Sequence, residues 1–75
     1  HARVAARIVK VASRFTSKVV LVVGERRASA RSLMAMLMLA AAMGATVRLE
    51  TEGPDEREAL EAVAAVLAPG ASERR

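Results

Sequence analysis

The chain has 75 residues, 53% of them hydrophobic, and a formal net charge of +4 at pH 7. This length predicts one small domain, and the single aromatic residue, Phe15, means that its core is aliphatic. The absence of Cys excludes disulfides and thiolate metal sites, and the longest uncharged apolar run, Leu33 to Ala45, is shorter than the roughly 18–20 residues of a spanning helix. No signal peptide is visible, so we expect a soluble cytoplasmic protein.

The first predicted element is a helix from Arg3 to Phe15. Its apolar residues fall at helical spacing on one face: Val4, Ile8, Val11 and Phe15. Lys18–Val23 is a short run of mostly β-branched residues and predicts a strand. Gly24 supplies a turn, after which Arg27–Ala30 can pair back as a second strand.

Ser32 is predicted to be the N-cap of a helix over Leu33–Met43, with Gly44 placed where helices commonly end. Over Thr46–Glu52, apolar and polar residues alternate, which predicts a half-buried strand of an antiparallel sheet. It places Val47, Leu49 and Thr51 on one face and Arg48, Glu50 and Glu52 on the other.

The last helix is predicted to start at Gly53-Pro54, with Asp55 and Glu56 favourable near its positive end. Its inner face comprises Ala59, Leu60, Val63, Ala64 and Leu67. Pro69-Gly70 ends the helix, so we predict one domain over residues 1–70 and a flexible tail over 71–75. The element order predicts an α/β fold, a two-layer sandwich in which helices cover one face of a sheet.

The order of these elements and four short segments resemble the phosphocarrier protein HPr family of the bacterial sugar phosphotransferase system. His1-Ala2-Arg3-Val4-Ala5-Ala6 is similar to the active-site signature of that family: His, a small residue, Arg, Pro and two Ala. The segment from Ala28 to Met34 resembles the regulatory-serine region, and the segments from Gly44 to Val47 and from Glu52 to Glu56 resemble the closing strand and helix. The likeness extends from His1 to about Leu67.

The resemblance implies an HPr-like sandwich: an antiparallel sheet covered on one face by two longer helices and one short helix. It also implies that His1 accepts a phosphoryl group at Nδ1 from enzyme I and passes it to a IIA domain, with Arg3 as the charge partner of the phosphate. By the same resemblance, Ser32 corresponds to a regulatory site that a dedicated kinase phosphorylates in some bacteria, and Leu33, Met34 and Leu37 are expected to form an exposed apolar patch that docks on partner proteins. No cofactor and no metal are expected, and the protein is expected to be a stoichiometric carrier and not an enzyme.

The residues themselves support this chemistry. An imidazole with an ordinary pKa of about 6.5 is neutral and nucleophilic near physiological pH. The unpaired N–H groups and positive dipole end of the helix that follows His1 favour an anion. The guanidinium of Arg3 can hold phosphate oxygens as a planar fork.

Two departures from the family pattern matter. Val4 stands where the family has Pro, and the strand that precedes the histidine in the family is missing. Without that strand, Thr46–Glu52 is expected to be an exposed edge that can pair with another chain.

Alternatives remain open at this point. His1 could be a tag remnant, Ser32 could be only a helix cap, and the protein could be an HPr-like regulatory binding module whose histidine is not phosphorylated. Binding of nucleic acid would use the scattered arginines Arg3, Arg7, Arg14, Arg26, Arg27 and Arg31. We do not expect it, because residues for stacking on bases are almost absent.

Overall fold

The computed structural model describes residues 2–42 and 46–67. The elements in chain order are α1 (Ala2–Ala12), β1 (Lys18–Val23), β2 (Arg26–Ser29), α2 (Leu33–Ala40), β3 (Arg48–Glu52) and α3 (Glu56–Leu67). Their types and order are those that the sequence predicts. The predicted sandwich of two longer helices and one short helix on an antiparallel sheet is confirmed.

The bounds of the three helices differ from the predictions, mainly at one end of each, and α1 also begins one residue earlier, at Ala2. α1 ends at Ala12 and not at Phe15, because the amides of Arg14 and Phe15 donate to carbonyls three residues back and tighten the chain into a turn. α3 begins at Glu56, since Gly53 to Asp55 form a turn before it. α2 ends at Ala40, while Met43 and Gly44, the predicted end of this helix, lie outside the described residues.

The three strands form one antiparallel sheet in the order β2-β1-β3. β1 is the central strand, with Val22 opposite Arg27 on one side and opposite Arg48 on the other. β3 is therefore an edge strand in the part of the chain that the structure describes, as expected. β3 begins at Arg48 and not at Thr46. The alternation is as expected, because Val47, just before the strand, and Leu49 pack against the core while Glu50 lies on the other face.

The core lies between the sheet and the three helices. Val19 and Leu21 of β1 meet Ile8 of α1, Met36 of α2 and Val63 of α3, and all five side chains are buried. Leu60 does not belong to this core, although the sequence predicted it there. It is 38% exposed because α3 turns Ala59 and Val63 inward, which leaves Leu60 at the margin of the buried face.

The opposite face of the sheet carries an ion cluster over a buried valine. Val22 is only 5% exposed and lies outside the main core. Its cross-strand neighbours Arg27 and Arg48 both reach Glu50, with Arg27 Nη2 to Glu50 Oε1 at 2.8 Å and Arg48 Nε to Glu50 Oε2 at 3.4 Å. The hydrogen bond from Arg27, with the charges of both guanidinium groups, lowers the pKa of Glu50. The aliphatic parts of these long side chains can cover Val22 while their charged ends remain in water.

Candidate functional site

The first turn of α1 is the candidate anion-binding end of the molecule. α1 begins at Ala2, and its first turn contains no acidic residue. The N–H groups of this turn have no partner within the helix and point outward at its positive end. Arg3 is exposed in the same turn, so its guanidinium is accessible. His1, which precedes Ala2 in the sequence, lies outside the described residues.

α1 is held in place by its apolar face. Ala5, Ile8 and Ala12 are fully buried, and Val4 packs partly against the core. Val4 differs from the Pro of the family motif in two ways. It leaves the entry angle of the chain less restricted, and it retains a backbone N–H that Pro lacks. The first turn of α1 therefore has one more amide donor than a turn with Pro at this position.

Ser32 starts α2 as an N-cap residue. Its backbone is extended, with φ −100° and ψ 111°, and its hydroxyl accepts a hydrogen bond from the Ala35 amide at 3.2 Å. Its carbonyl accepts a further bond from the Met36 amide at 2.9 Å. Ser32 is half-buried, and its Oγ lies at the positive end of α2.

The helix that Ser32 caps exposes most of its apolar side chains. Leu33, Met34 and Leu37 are 47%, 69% and 38% exposed, whereas Met36 is fully buried. Met38 is 65% exposed, and the sequence did not single it out because α2 is apolar all round and its periodicity identifies no outer face. α1 and α2 pack against each other, so Arg3 and the exposed side chains of α2 belong to neighbouring helices of one layer.

A polar clamp fixes the loop between α1 and β1. The carboxylate of Asp55, just before α3, accepts hydrogen bonds from the backbone amides of Thr16 and Ser17 at 3.1 and 2.9 Å. It also accepts a hydrogen bond from the Ser17 hydroxyl. The Ser17 hydroxyl oxygen in turn accepts a hydrogen bond from the backbone amide of Asp55 at 3.0 Å. The hydrogen bond from the Ser17 side chain, with those from the backbone amides, lowers the pKa of Asp55.

Arg31 ties the same loop to the segment before α2. Its guanidinium donates to the carbonyl of Phe15 and, at 3.4 Å, to that of Ser17. Arg31 directly precedes Ser32, so the end of α1 and the start of α2 share one anchor. Neither this anchor nor the clamp was predicted, since both join residues distant in sequence.

No grouping of His, Cys, Asp and Glu that could hold a metal ion occurs among residues 2–42 and 46–67. Within the same residues, no helix has both the length and the apolar character needed to cross a bilayer.

Comparisons with known proteins find similar sequences and similar folds. Residues 1–68 match the family model described as the PTS HPr component phosphorylation site. The chain is 46% identical over 68 residues to the phosphocarrier protein HPr of Cupriavidus necator, covering 91% of this chain and 76% of that protein. It is 42% identical over 67 residues to the HPr-like protein Crh of Halalkalibacterium halodurans, covering 89% and 80%. The crystal structure of HPr from Bacillus anthracis superposes with a TM-score of 0.80 at 38% identity, covering 88% of this chain and 79% of that one.

Proposed function

This chain belongs to the HPr family of the phosphotransferase system, and on that premise we propose that it carries a phosphoryl group from enzyme I to sugar-specific IIA components as a phosphohistidine on His1. The observation that carries the proposal is the position of this histidine in the chain. His1 directly precedes a helix that begins at Ala2, has no carboxylate in its first turn and presents Arg3 to solvent.

The proposed relay is a reversible exchange of one N–P bond for another. A nitrogen of the neutral His1 ring, Nδ1 by analogy with the family, attacks the phosphorus of the phosphohistidine on enzyme I. The donor N–P bond breaks and its electron pair returns to the donor imidazole. In a second exchange of the same kind, a nitrogen of a IIA histidine attacks the phosphorus of phospho-His1. The N–P bond to His1 breaks, which restores the free ring, so the protein is a stoichiometric carrier.

Three features of the first turn support this chemistry. The positive end of α1 disfavours the imidazolium form of a neighbouring ring and favours a phosphate. The planar guanidinium of Arg3 offers paired N–H donors to phosphate oxygens. The Val4 amide adds an N–H donor that the family Pro cannot supply.

The exposed side chains of Leu33, Met34 and Leu37 are the proposed docking surface for enzyme I and the IIA components. They contribute apolar area on the helix next to α1, and flexible Met side chains suit a surface that serves several partners. Ser32 is the proposed regulatory site for a serine kinase and phosphorylase. A phosphate on its hydroxyl would be stabilised by the N-terminus of α2, yet it would place about two negative charges beside the docking surface.

The test is phosphorylation of the purified protein with enzyme I and phosphoenolpyruvate, followed by intact mass measurement. We expect a gain of one phosphoryl group that is labile in acid and absent from His1→Ala. Arg3→Gln should slow the transfer, whereas the matched control Arg7→Gln, which removes an exposed cation one turn further along α1, should not. An unmodified mass for the unaltered protein would refute the proposal.

A second candidate is an HPr-like regulatory binding module whose histidine is not phosphorylated. The departure at Val4 favours it, as does the similarity to a protein named HPr-like protein Crh. In that case a partner would bind through the exposed face of α2, and His1→Ala would change neither its affinity nor any measured phosphorylation. Phosphoryl transfer to a IIA component would exclude this candidate.

A further inference from the structure

Positive and negative side chains are segregated along the chain, so they are carried by different elements of the fold. Residues 2–42, which contain α1, β1, β2 and α2, carry eight Arg and Lys side chains and one carboxylate, Glu25. Residues 46–67, which contain β3 and α3, carry two Arg side chains and six carboxylates. Such a charge distribution orients a protein so that its basic side meets an anionic surface.

α1 presents a basic stripe to solvent. Arg3, Arg7 and Lys10 follow one another at the i, i+4 and i+7 positions of the helix and are all exposed. Arg14 continues the stripe in the turn that follows α1. In the part of the chain that the structure describes, the ion pairs involve Arg27 and Arg48 with Glu50, so the stripe is not neutralised there by neighbouring carboxylates.

Next to this stripe, α2 forms an apolar ridge, which we define as Leu33, Met34, Leu37 and Met38. These four side chains are 38% to 69% exposed, and α2 contains no charged residue. On the side away from α1, the ridge borders a groove of about 450 Å³ between α2 and β2. Met38 lines this groove together with Arg26 and Arg27, so the ridge has cations on both sides.

We propose that this face binds the surface of a bilayer that contains anionic phospholipid. The apolar ridge would enter the boundary between headgroups and acyl chains, while the basic stripe and Arg26 bind lipid phosphates on either side of it. Basic side chains that flank exposed Leu residues are typical of proteins that lie on a membrane without crossing it. A lipid surface can take up the ridge without hydrogen-bonding partners, whereas a nucleic acid offers it no apolar counterpart.

This interaction does not depend on phosphoryl transfer. It does share Leu33, Met34 and Leu37 with the proposed docking surface for protein partners. Membrane-bound protein would consequently be unable to dock through that surface at the same time.

The test is sedimentation of the protein with vesicles of phosphatidylcholine, with or without one third phosphatidylglycerol. We expect binding to the anionic vesicles alone. It should be lost when the ionic strength rises from about 0.1 M to about 1 M, which shortens the Debye length from about 10 Å to about 3 Å. Arg7→Gln and Arg26→Gln should each weaken binding about fivefold, the effect of one cation close to an anionic leaflet.

Two further variants separate this interface from general attraction of a basic protein to anions. Arg57→Gln removes the same charge from exposed α3 on the acidic side and should leave binding unchanged. Met38→Gln keeps the charge and should weaken binding, and circular dichroism would verify that each variant is folded. The proposal is overturned if Arg57→Gln weakens binding as much as Arg7→Gln, or if Met38→Gln binds the anionic vesicles as well as the wild-type protein does.

Discussion

Replacing Gly53 by Ala tests how closely the turn before α3 approaches the loop before β1. Gly53 has a φ of +146°, a conformation that residues with a side chain rarely adopt. A Cβ at this position would lie 2.6 Å from Ser17 Oγ, 2.8 Å from Ser17 Cα and 2.9 Å from Ser17 Cβ. Because one of these atoms is backbone, rotation of the serine side chain cannot relieve the overlap.

The expected loss of stability has two parts. An unfavourable backbone conformation costs about 1–3 kcal/mol, and overpacking of a buried contact costs about 1–3 kcal/mol more. The sum of about 2–6 kcal/mol is a large fraction of the roughly 4–11 kcal/mol expected for a domain of this size. Gly53→Ala should therefore unfold at much lower urea concentration than the wild-type protein.

The matched control is Gly24→Ala in the β1–β2 turn. Gly24 also has a positive φ, of 62°, but apart from its two chain neighbours no residue has an atom within 4 Å of the position of its added Cβ. The free energy of unfolding of Gly24→Ala should therefore fall only by the cost of the backbone conformation, about 1–2 kcal/mol. Urea unfolding followed by far-ultraviolet circular dichroism measures both variants. Equal losses for the two glycines, or rescue of Gly53→Ala by Ser17→Ala, would show that the close backbone approach is not the cause.

Two other predictions follow from the polar contacts. The folded-state pKa of Asp55 is lowered, so its contribution to stability is present above the ordinary carboxyl pKa of about 3.9 and is lost as the pH falls through the folded-state value. In Asp55→Asn, the free energy of unfolding, measured by urea unfolding at a series of pH values, should fall less steeply as the pH is lowered. The same steepness in the variant and the wild-type protein would show that the clamp does not depend on this charge. Ser32→Ala removes the cap of α2 and should cost about 1 kcal/mol, against less than about 0.5 kcal/mol for the exposed control Ser13→Ala. Thermal unfolding measures both variants, and equal melting temperatures for Ser32→Ala and Ser13→Ala would contradict the capping role.

Local patterns were sufficient to predict the elements of this fold. Lys18–Val23 is a strand with the predicted bounds, since β-branched residues occupy most of it and Gly24 ends it. Ser32 caps α2 through the hydrogen bond that its residue type favours. The alternation over β3 likewise predicted which side chains face the helices.

Contacts between distant residues could not be predicted in the same way. Asp55 was expected to favour the positive end of its own helix, yet its carboxylate binds the loop at Ser17, 38 residues away in the sequence. Nothing local distinguishes Leu60 from the inward-facing Val63, because only the seating of α3 on the sheet decides which is covered. For the candidate site, the sequence predicted His1, Arg3, Ser32 and three residues of α2, and these roles stay predictions. It did not predict that Met38 is exposed, because that depends on how α2 rests against β2.

The central position of β1 has a consequence for how this chain folds. β1 pairs with β2 across a short turn, beginning with Val23 and Arg26, but its pairing with β3 must bring Lys18 to Glu52. The hairpin closes a small loop, whereas the second pairing closes a loop that includes the whole of α2 and costs more chain entropy. We therefore expect the pairing of β3 with β1 to be the step that limits the folding rate. The amide protons that β1 shares with β3 should exchange with solvent only when the whole domain opens.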